Sequence, residues 1–287
     1  MDPNLKMTRR AFLGKGKIVV GAFLAAPFAS YGYARFAEPK WIRTTHVPLR
    51  MSRLPKAFDG MRIVHFSDVH IGPYLSPDEL PQLMERIQSL NPDLICFTGD
   101  LYDYRVYDKA RVTAALASLK APLGKFAVLG NHDYYESPRE TEKVFQSAGF
   151  ELLTNRSVPV VQGKSQIRVA GVDDMWEGRP ELDRALQGTT GQEFVLLLSH
   201  APDFADIALE RPVDLQLSGH SHGGQVRLPF YGALTTPMHG KKYVDGLYKL
   251  GGGKLHVYTN RGIGMTLHPV RFWCRPELTV LTLSSGS

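Results

Sequence analysis

Five short apolar runs in this 287-residue chain end in side chains able to hold a metal ion. They end in Asp68-Val69-His70, Gly99-Asp100, Gly130-Asn131-His132-Asp133, Ser199-His200 and Gly219-His220-Ser221-His222. Half of the ten histidines fall at these places, which histidines scattered over a surface would not do. The donors are carboxylate and amide oxygens and imidazoles, without a thiolate. That set suits Mn, Fe or Zn and argues against a structural zinc, which favours cysteine. Three imidazoles beyond Asp68 and His70, with one aspartate to bridge, suffice for two metals. Two cations about 3.5–4 Å apart form the usual clamp for in-line displacement at phosphorus. Each motif alone has a plainer reading, since an aspartate after a strand is as often a turn or cap residue. Their convergence is what points to chemistry. His65 lies mid-strand and reads as structural, while His46, His239, His256 and His268 stand in no motif.

Such residues need strands to carry them to one place. MRIVHFSD (61–68), DLICFTGD (93–100) and KFAVLGNHD (125–133) read as buried strands. They alternate with helices over 76–90, around 109–119 and over 137–149. Ser76 with Pro77 marks the first helix start, and Ser137 with Glu140 suggests a capping box closed by Gly149. ELLTNRSVPVV and QIRVAGVDD read as consecutive strands turning at Gly163. EFVLLLSH, a helix near 203–210 and DLQLSGH resume the alternation, and GQVRL, KLHVYTN and LTVLTL add strands. This order predicts an α/β layered fold with mixed sheets. In open α/β sheets ligands gather beyond the carboxyl ends of strands, where all five motifs fall.

Charge narrows the function. The net charge is +6, but residues 1–34 hold five basic residues against Asp2, leaving about +2 for the remainder. A nearly neutral body gives no support to nucleic-acid binding, and none is expected. The two cysteines, Cys96 and Cys274, have no CxxC partner, so no redox or thiolate metal motif is present.

The N-terminus has a basic start, a modest apolar stretch from Ile18 to Ala34 and small residues at its end, which is signal-peptide anatomy. Thr8-Arg9-Arg10-Ala11-Phe12-Leu13 is similar to the twin-arginine export signal, with Gly32-Tyr33-Ala34 as a candidate cleavage site. Residues 1–34 are thus expected to be a signal or membrane anchor, 35–60 a lead-in and 61–287 one catalytic domain.

DxH, GDxxD, GNHD, a single histidine and GHSH, in this order over about residues 61–285, resemble the calcineurin-like metallophosphoesterase superfamily. With the export signal, they resemble its exported or membrane-associated bacterial branch. The resemblance implies a four-layer αββα sandwich of two mixed sheets flanked by helices, with a dinuclear site at strand C-terminal ends. It implies that Asp68, His70 and His222 hold one divalent metal, that Asn131, His200 and His220 hold the second, and that Asp100 bridges them. The metals would be Mn, Fe or Zn. It further implies that His132 contacts the phosphate and protonates the leaving group, with Asp133 or Asp103 orienting neighbours. The reaction implied is direct attack on phosphorus by metal-activated hydroxide, favouring diesters, with no covalent enzyme intermediate.

The motifs leave the ester open. Arg261 in NRGIG is a candidate phosphate grip or a solvated arginine, and KKYVDGLY offers aromatics near the site or plain packing. Related enzymes cleave UDP-2,3-diacylglucosamine in lipid A synthesis, a cytoplasmic-facing reaction that an uncleaved anchor would allow. A lipid or other cell-envelope phosphoester is the expected partner, with the twin-arginine machinery; the expected location is the periplasm, envelope or membrane, and the expected state a monomer. An inactive metal-binding envelope module is the rival of another class, and the completeness of the ligand set argues against it.

Overall fold

The apolar runs bury both of their faces, and that requires covering layers on each side. In the computed structural model, which describes residues 26–105 and 107–286, the layers come from two six-stranded sheets. The first has the order β1 (Arg43–Met51), β14 (Glu277–Ser285), β2 (Arg62–Phe66), β3 (Leu94–Thr98), β4 (Lys125–Val128) and β5 (Glu151–Leu152). The second has the order β12 (Gly246–Leu250), β13 (Leu255–Thr259), β9 (Leu215–Ser218), β8 (Val195–Leu198), β7 (Ser165–Gly171) and β6 (Arg156–Gln162). A two-stranded ribbon, β10 (Arg227–Leu228) and β11 (Gly232–Ala233), stands apart. Strands β2 to β5 run parallel with β14 antiparallel to β2. Strands β7, β8, β9 and β13 run parallel with β6 and β12 antiparallel at the edges.

The period of two along each strand sorts side chains into three cores. Ile63, Leu94 and Cys96 of the first sheet meet Ile167, Val169, Leu196 and Leu217 of the second. Val64, Ile95 and Phe97 point the other way, onto helices Leu80–Ser89, Lys109–Ala117 and Pro138–Ser147. Val195, Leu197 and Val257 pack on helices Leu182–Ala185 and Ala205–Ala208. Each such buried Leu, Ile or Phe contributes about 1.5–3 kcal/mol. The result is the αββα sandwich, with the parallel strands delivering their carboxyl ends to one edge.

Local details depart from the sequence reading in instructive ways. The Ser76–Glu79 capping box forms. The one expected at Ser137 does not, because Glu140 accepts from Lys109 at 2.5 Å and Lys143 at 2.7 Å instead of reaching back. ELLTNRSVPVV is two strands, not one: Asn155 takes φ 52° and carries the chain from β5 in one sheet to β6 in the other. Residues expected only to lead in form β1, parallel to β14 over nine residues from Arg43↔Glu277 to Met51↔Ser285. Its Pro48 is tolerated because β1 is a sheet edge.

The twin-arginine-like residues 8–13 lie outside the described residues. Residues 26–32 are helical, and Ala34 is buried with its carbonyl accepting from the Arg271 N–H at 2.9 Å. Among the described residues no helix is long and apolar enough to cross a membrane. Cys96 and Cys274 are both buried and free.

Candidate active site

The strand ends converge as two donor clusters, Asp68, His70 and His222 in one and Asp100, His200 and His220 in the other, and His132 comes close enough to His70 and Asp100 to make a third, overlapping group. Five of the six residues in the two clusters, Asp68, His70, Asp100, His220 and His222, have φ between 48° and 69°. Left-handed backbone at non-glycine residues costs about 1–3 kcal/mol each and gathers where function requires it. It folds each strand end back so that its side chain faces the neighbouring strand's.

Glycines allow the close approach. A Cβ on Gly219 would lie 2.1 Å from Asp68 Oδ2, and one on Gly130 would lie 2.2 Å from Asp100 Oδ1. Both positions are walls of the site, and this is the steric reason for a glycine before Asn131 and before His220.

Hydrogen bonds behind the site fix which atom of each residue faces inward. His200 Nδ1 donates to the Thr98 carbonyl (2.6 Å) and His220 Nε2 to the Met238 carbonyl (2.7 Å). Carbonyls only accept, so these nitrogens carry the protons. The lone pairs of His200 Nε2 and His220 Nδ1 then face each other at 3.1 Å. Asn131 Oδ1 and Asp100 Oδ2 each lie 3.2 Å from the same His200 Nε2. With these imidazoles neutral, four acceptors converge on one point, and the positive charge they call for can be a metal cation. In the first cluster His70 Nε2 and His222 Nε2 meet at 3.0 Å, with Asp68 Oδ1 3.3 Å from His222 Nε2. Asp100 Oδ2 is 3.4 Å from His70 Nε2, so this oxygen touches both clusters. Its other oxygen is held by the His132 backbone N–H at 2.9 Å.

The electrostatics agree. Burial alone would push Asp100 up, but His200, His132 and His70 hold its carboxyl well below the usual range. Burial opposes protonation of His200, yet Asp100 and Asp68 raise it well above an ordinary imidazole. His220 is driven down to about 3 by burial and by His200. The centre therefore demands positive charge at the point between the clusters, and two divalent cations fit that demand and the donor set.

His132 stands beside the clusters on the pocket wall. Its Nδ1 donates to the Asp103 carbonyl at 2.5 Å, which leaves Nε2 directed away from that anchor. Burial lowers its affinity for a proton, but Asp100 and Asp103 raise it to about 9. The Asp103 carboxylate lies 3.3 Å from His70 Nδ1 and 3.4 Å from His132 Nδ1, linking the two rings. Asp133 is a brace: it accepts from the backbone N–H groups of Gly130 (2.9 Å), Asp100 (2.9 Å) and Leu101 (3.0 Å). Burial and the Asp100 charge push its carboxyl up to about 7, and the Gly130 and Asp100 N–H groups and His200 oppose the push.

The cavity over the clusters has a volume of about 360 Å³. Tyr104, Tyr135, Trp176, Leu267 and His268 form much of its wall, and none of these was singled out from sequence. Arg261 is not on that wall: both its Nε (3.0 Å) and Nη2 (2.8 Å) are engaged by Asp245. The aromatics of KKYVDGLY also pack elsewhere, Tyr243 against Tyr248.

Two buried residues were missed. Arg271 donates to the carbonyls of Gly264 (2.6 Å), Arg261 (2.9 Å) and Cys274 (3.1 Å), and its Nη2 lies 3.3 Å from His222 Nδ1. Glu38 accepts from the N–H groups of Trp273 (3.0 Å) and Cys274 (2.6 Å), tying the N-terminal segment to that loop. Neither belongs to a motif. Apart from the Arg271–His222 contact, the partners named here are backbone groups, which leave no signature in sequence.

Residues 61–224 match the family described as calcineurin-like phosphoesterase. Over 98% of its length the chain is 41% identical to the metallophosphoesterase YkuE of Bacillus subtilis, covering 99% of that protein. It is 30% identical to the phosphodiesterase YaeI of Escherichia coli, over 96% of this chain and 99% of that one. It is 27% identical to the UDP-2,3-diacylglucosamine pyrophosphatase LpxG of Chlamydia muridarum, over 91% and 94%. With clusters able to hold the two divalent metals that this family uses, and with these relatives along its whole length, the chain belongs to the calcineurin-like phosphoesterases and is a phosphoester hydrolase.

Proposed function

We propose that this enzyme hydrolyses phosphodiesters, with Asp68, His70 and His222 holding one metal, Asn131, His200 and His220 the other, and Asp100 shared. The observation that carries the diester reading is the pocket wall: among the described residues it includes no lysine or arginine. A dianionic monoester would find no lysine or arginine there, only imidazoles such as His132 beside the metals, whereas a singly charged diester needs less compensating charge. When bound, the two cations supply Lewis-acid polarisation of the phosphoryl oxygens and activation of water.

The chain's own residues do the rest. Asp103 orients His132, its carbonyl holding Nδ1 at 2.5 Å and its carboxylate lying 3.4 Å from the same nitrogen. Nε2 can then donate its proton to the departing alkoxide, as general acid. Asp133 and the Gly130 turn hold Asn131 and Asp100 in register. Tyr104, Tyr135, Trp176 and Leu267 on the wall suit an ester with a hydrophobic substituent.

The twin-arginine-like sequence at 8–13 supports export to the cell envelope, with the N-terminal segment either processed or kept as an anchor. The LpxG relative supports a second reading, cleavage of a pyrophosphate on a lipid-linked sugar nucleotide. Hydrolysis of bis-p-nitrophenyl phosphate against p-nitrophenyl phosphate, with reloaded metal, tests the proposal. Diester cleavage should exceed monoester cleavage, and His132→Ala should slow it with metal content unchanged. Equal or greater monoester cleavage would remove the diester assignment.

A further inference from the structure

Three chain segments meet beside the mouth of the pocket, and each shows apolar side chains to solvent. The first is the β10–β11 ribbon, with Phe230 fully exposed and Tyr231 72% exposed at its tip. The second is the 265–273 loop, with Leu267 72% and Trp273 60% exposed. The third is the helical segment from residue 26, which exposes Phe28 and Tyr31. They are joined to each other: the Arg227 N–H donates to the Phe272 carbonyl at 2.9 Å, and the rings of Phe272 and Tyr33 meet edge to face at 6.3 Å. They are also joined to the site, because Gln225 and Leu267 line the pocket and Gln225 bonds the Thr266 backbone in both directions.

We propose that this rim docks on the surface of a lipid bilayer, with the active-site mouth beside it, so that the substrate is an amphiphile whose phosphodiester enters from the membrane. The chain itself argues for that occupant over a protein. It reaches the rim at residue 26 directly from the apolar sequence IVVGAFLA (18–25), itself preceded by Arg9, Arg10, Lys15 and Lys17. Arg35 continues that segment, its guanidinium over the exposed Phe36 ring, and Arg275 lies over the exposed Trp41 ring just beyond it, two cations available to anionic headgroups. Tyr, Trp and Phe at a rim with flanking basic residues have the composition of a membrane-interface belt. The proposal deepens the diesterase reading by naming the substrate class, and the experiment separates the two.

The full chain, metal-loaded, carries Trp41→Phe and Trp176→Phe, which leaves Trp273 as its one tryptophan. It is mixed with phosphatidylethanolamine–phosphatidylglycerol vesicles with and without brominated acyl chains. Bromine should quench Trp273. In the otherwise unchanged chain, Phe230→Ser with Tyr231→Ser should lower hydrolysis of vesicle-borne phosphatidylglycerol about tenfold, the loss expected when two exposed aromatics no longer enter the interface. Their hydrolysis of soluble bis-p-nitrophenyl phosphate should not change. A chain that fails to bind the vesicles, or binds them with Trp273 unquenched, overturns the docking. So does a double variant with an unchanged vesicle rate. If soluble diester is not cleaved at all, the diesterase reading fails, while the quenching still decides the docking.

Discussion

Replacing Gly219 by alanine adds one carbon where there is no room for one. Gly219 does not need left-handed backbone, so alanine carries no conformational penalty there, and the effect is purely steric. The new Cβ would lie 2.0 Å from Ser67 Oγ and 2.1 Å from Asp68 Oδ2. Tolerable contact begins near 3.0 Å, so the Asp68 carboxylate or the 219–222 loop must retreat by about 1 Å. The two are tied together, since the His220 N–H bonds both Asp68 oxygens at 3.0 and 3.1 Å, and His222 follows two residues later. Overpacking of this kind costs about 1–3 kcal/mol of stability. A misplacement of about 1 Å in a catalytic constellation costs on the order of a hundredfold in rate. Thermal melting, metal content by plasma mass spectrometry and bis-p-nitrophenyl phosphate hydrolysis measure the three consequences. Gly191→Ala is the control, because a Cβ there meets nothing within 4 Å. Gly219→Ala should melt a few degrees lower, bind less metal and turn over about a hundredfold more slowly. A variant with normal metal content and normal rate would refute the packing argument.

Further perturbations follow from other buried hydrogen bonds. Asp133→Asn replaces a carboxylate that accepts three backbone N–H groups with an amide whose nitrogen must face one of them; about 1–3 kcal/mol should be lost in urea unfolding, with slower turnover. Glu38→Gln should cost a similar amount by the same assay, and a chain beginning at Arg35 should also be weakened, since it lacks the Ala34 carbonyl that Arg271 uses. His65 is buried against Thr98 Oγ1 at 2.8 Å, and burial lowers its pKa to about 3. The unfolded chain then binds the extra proton between about pH 6.5 and 3, so acidification through that window should destabilise the fold by about 1.4 kcal/mol per pH unit. His65→Gln should flatten that slope, and an unchanged slope would assign it to other groups.

The clustering of these donors was legible because coordination chemistry restricts residue type and strand ends restrict place: a histidine two residues after an aspartate at a buried strand's end has few other uses. The layers were legible because a strand buried on both faces reads as a continuous apolar run. β1 was less so, since an edge strand with Pro48 and alternating exposure resembles an extended linker. Arg261 and Arg271 show where sequence stops. Both lie in the segment between β13 and β14, and only the fold turns one to Asp245 and buries the other behind His222. Glu38 is farther still from any pattern, because what it holds is backbone 235 residues away. The aromatic pocket wall was invisible for the same reason, its members coming from four separate loops.

The central claim is that two divalent cations, sharing Asp100, carry out the hydrolysis. The direct measurement is metal per chain alongside diester hydrolysis, for the purified protein, after chelation, after reloading, and for Asp100→Asn. The account predicts two ions per chain, loss of hydrolysis on chelation with recovery on reloading, and reduced metal with strongly reduced hydrolysis in Asp100→Asn. One ion per fully active chain, or hydrolysis that survives chelation, would contradict it.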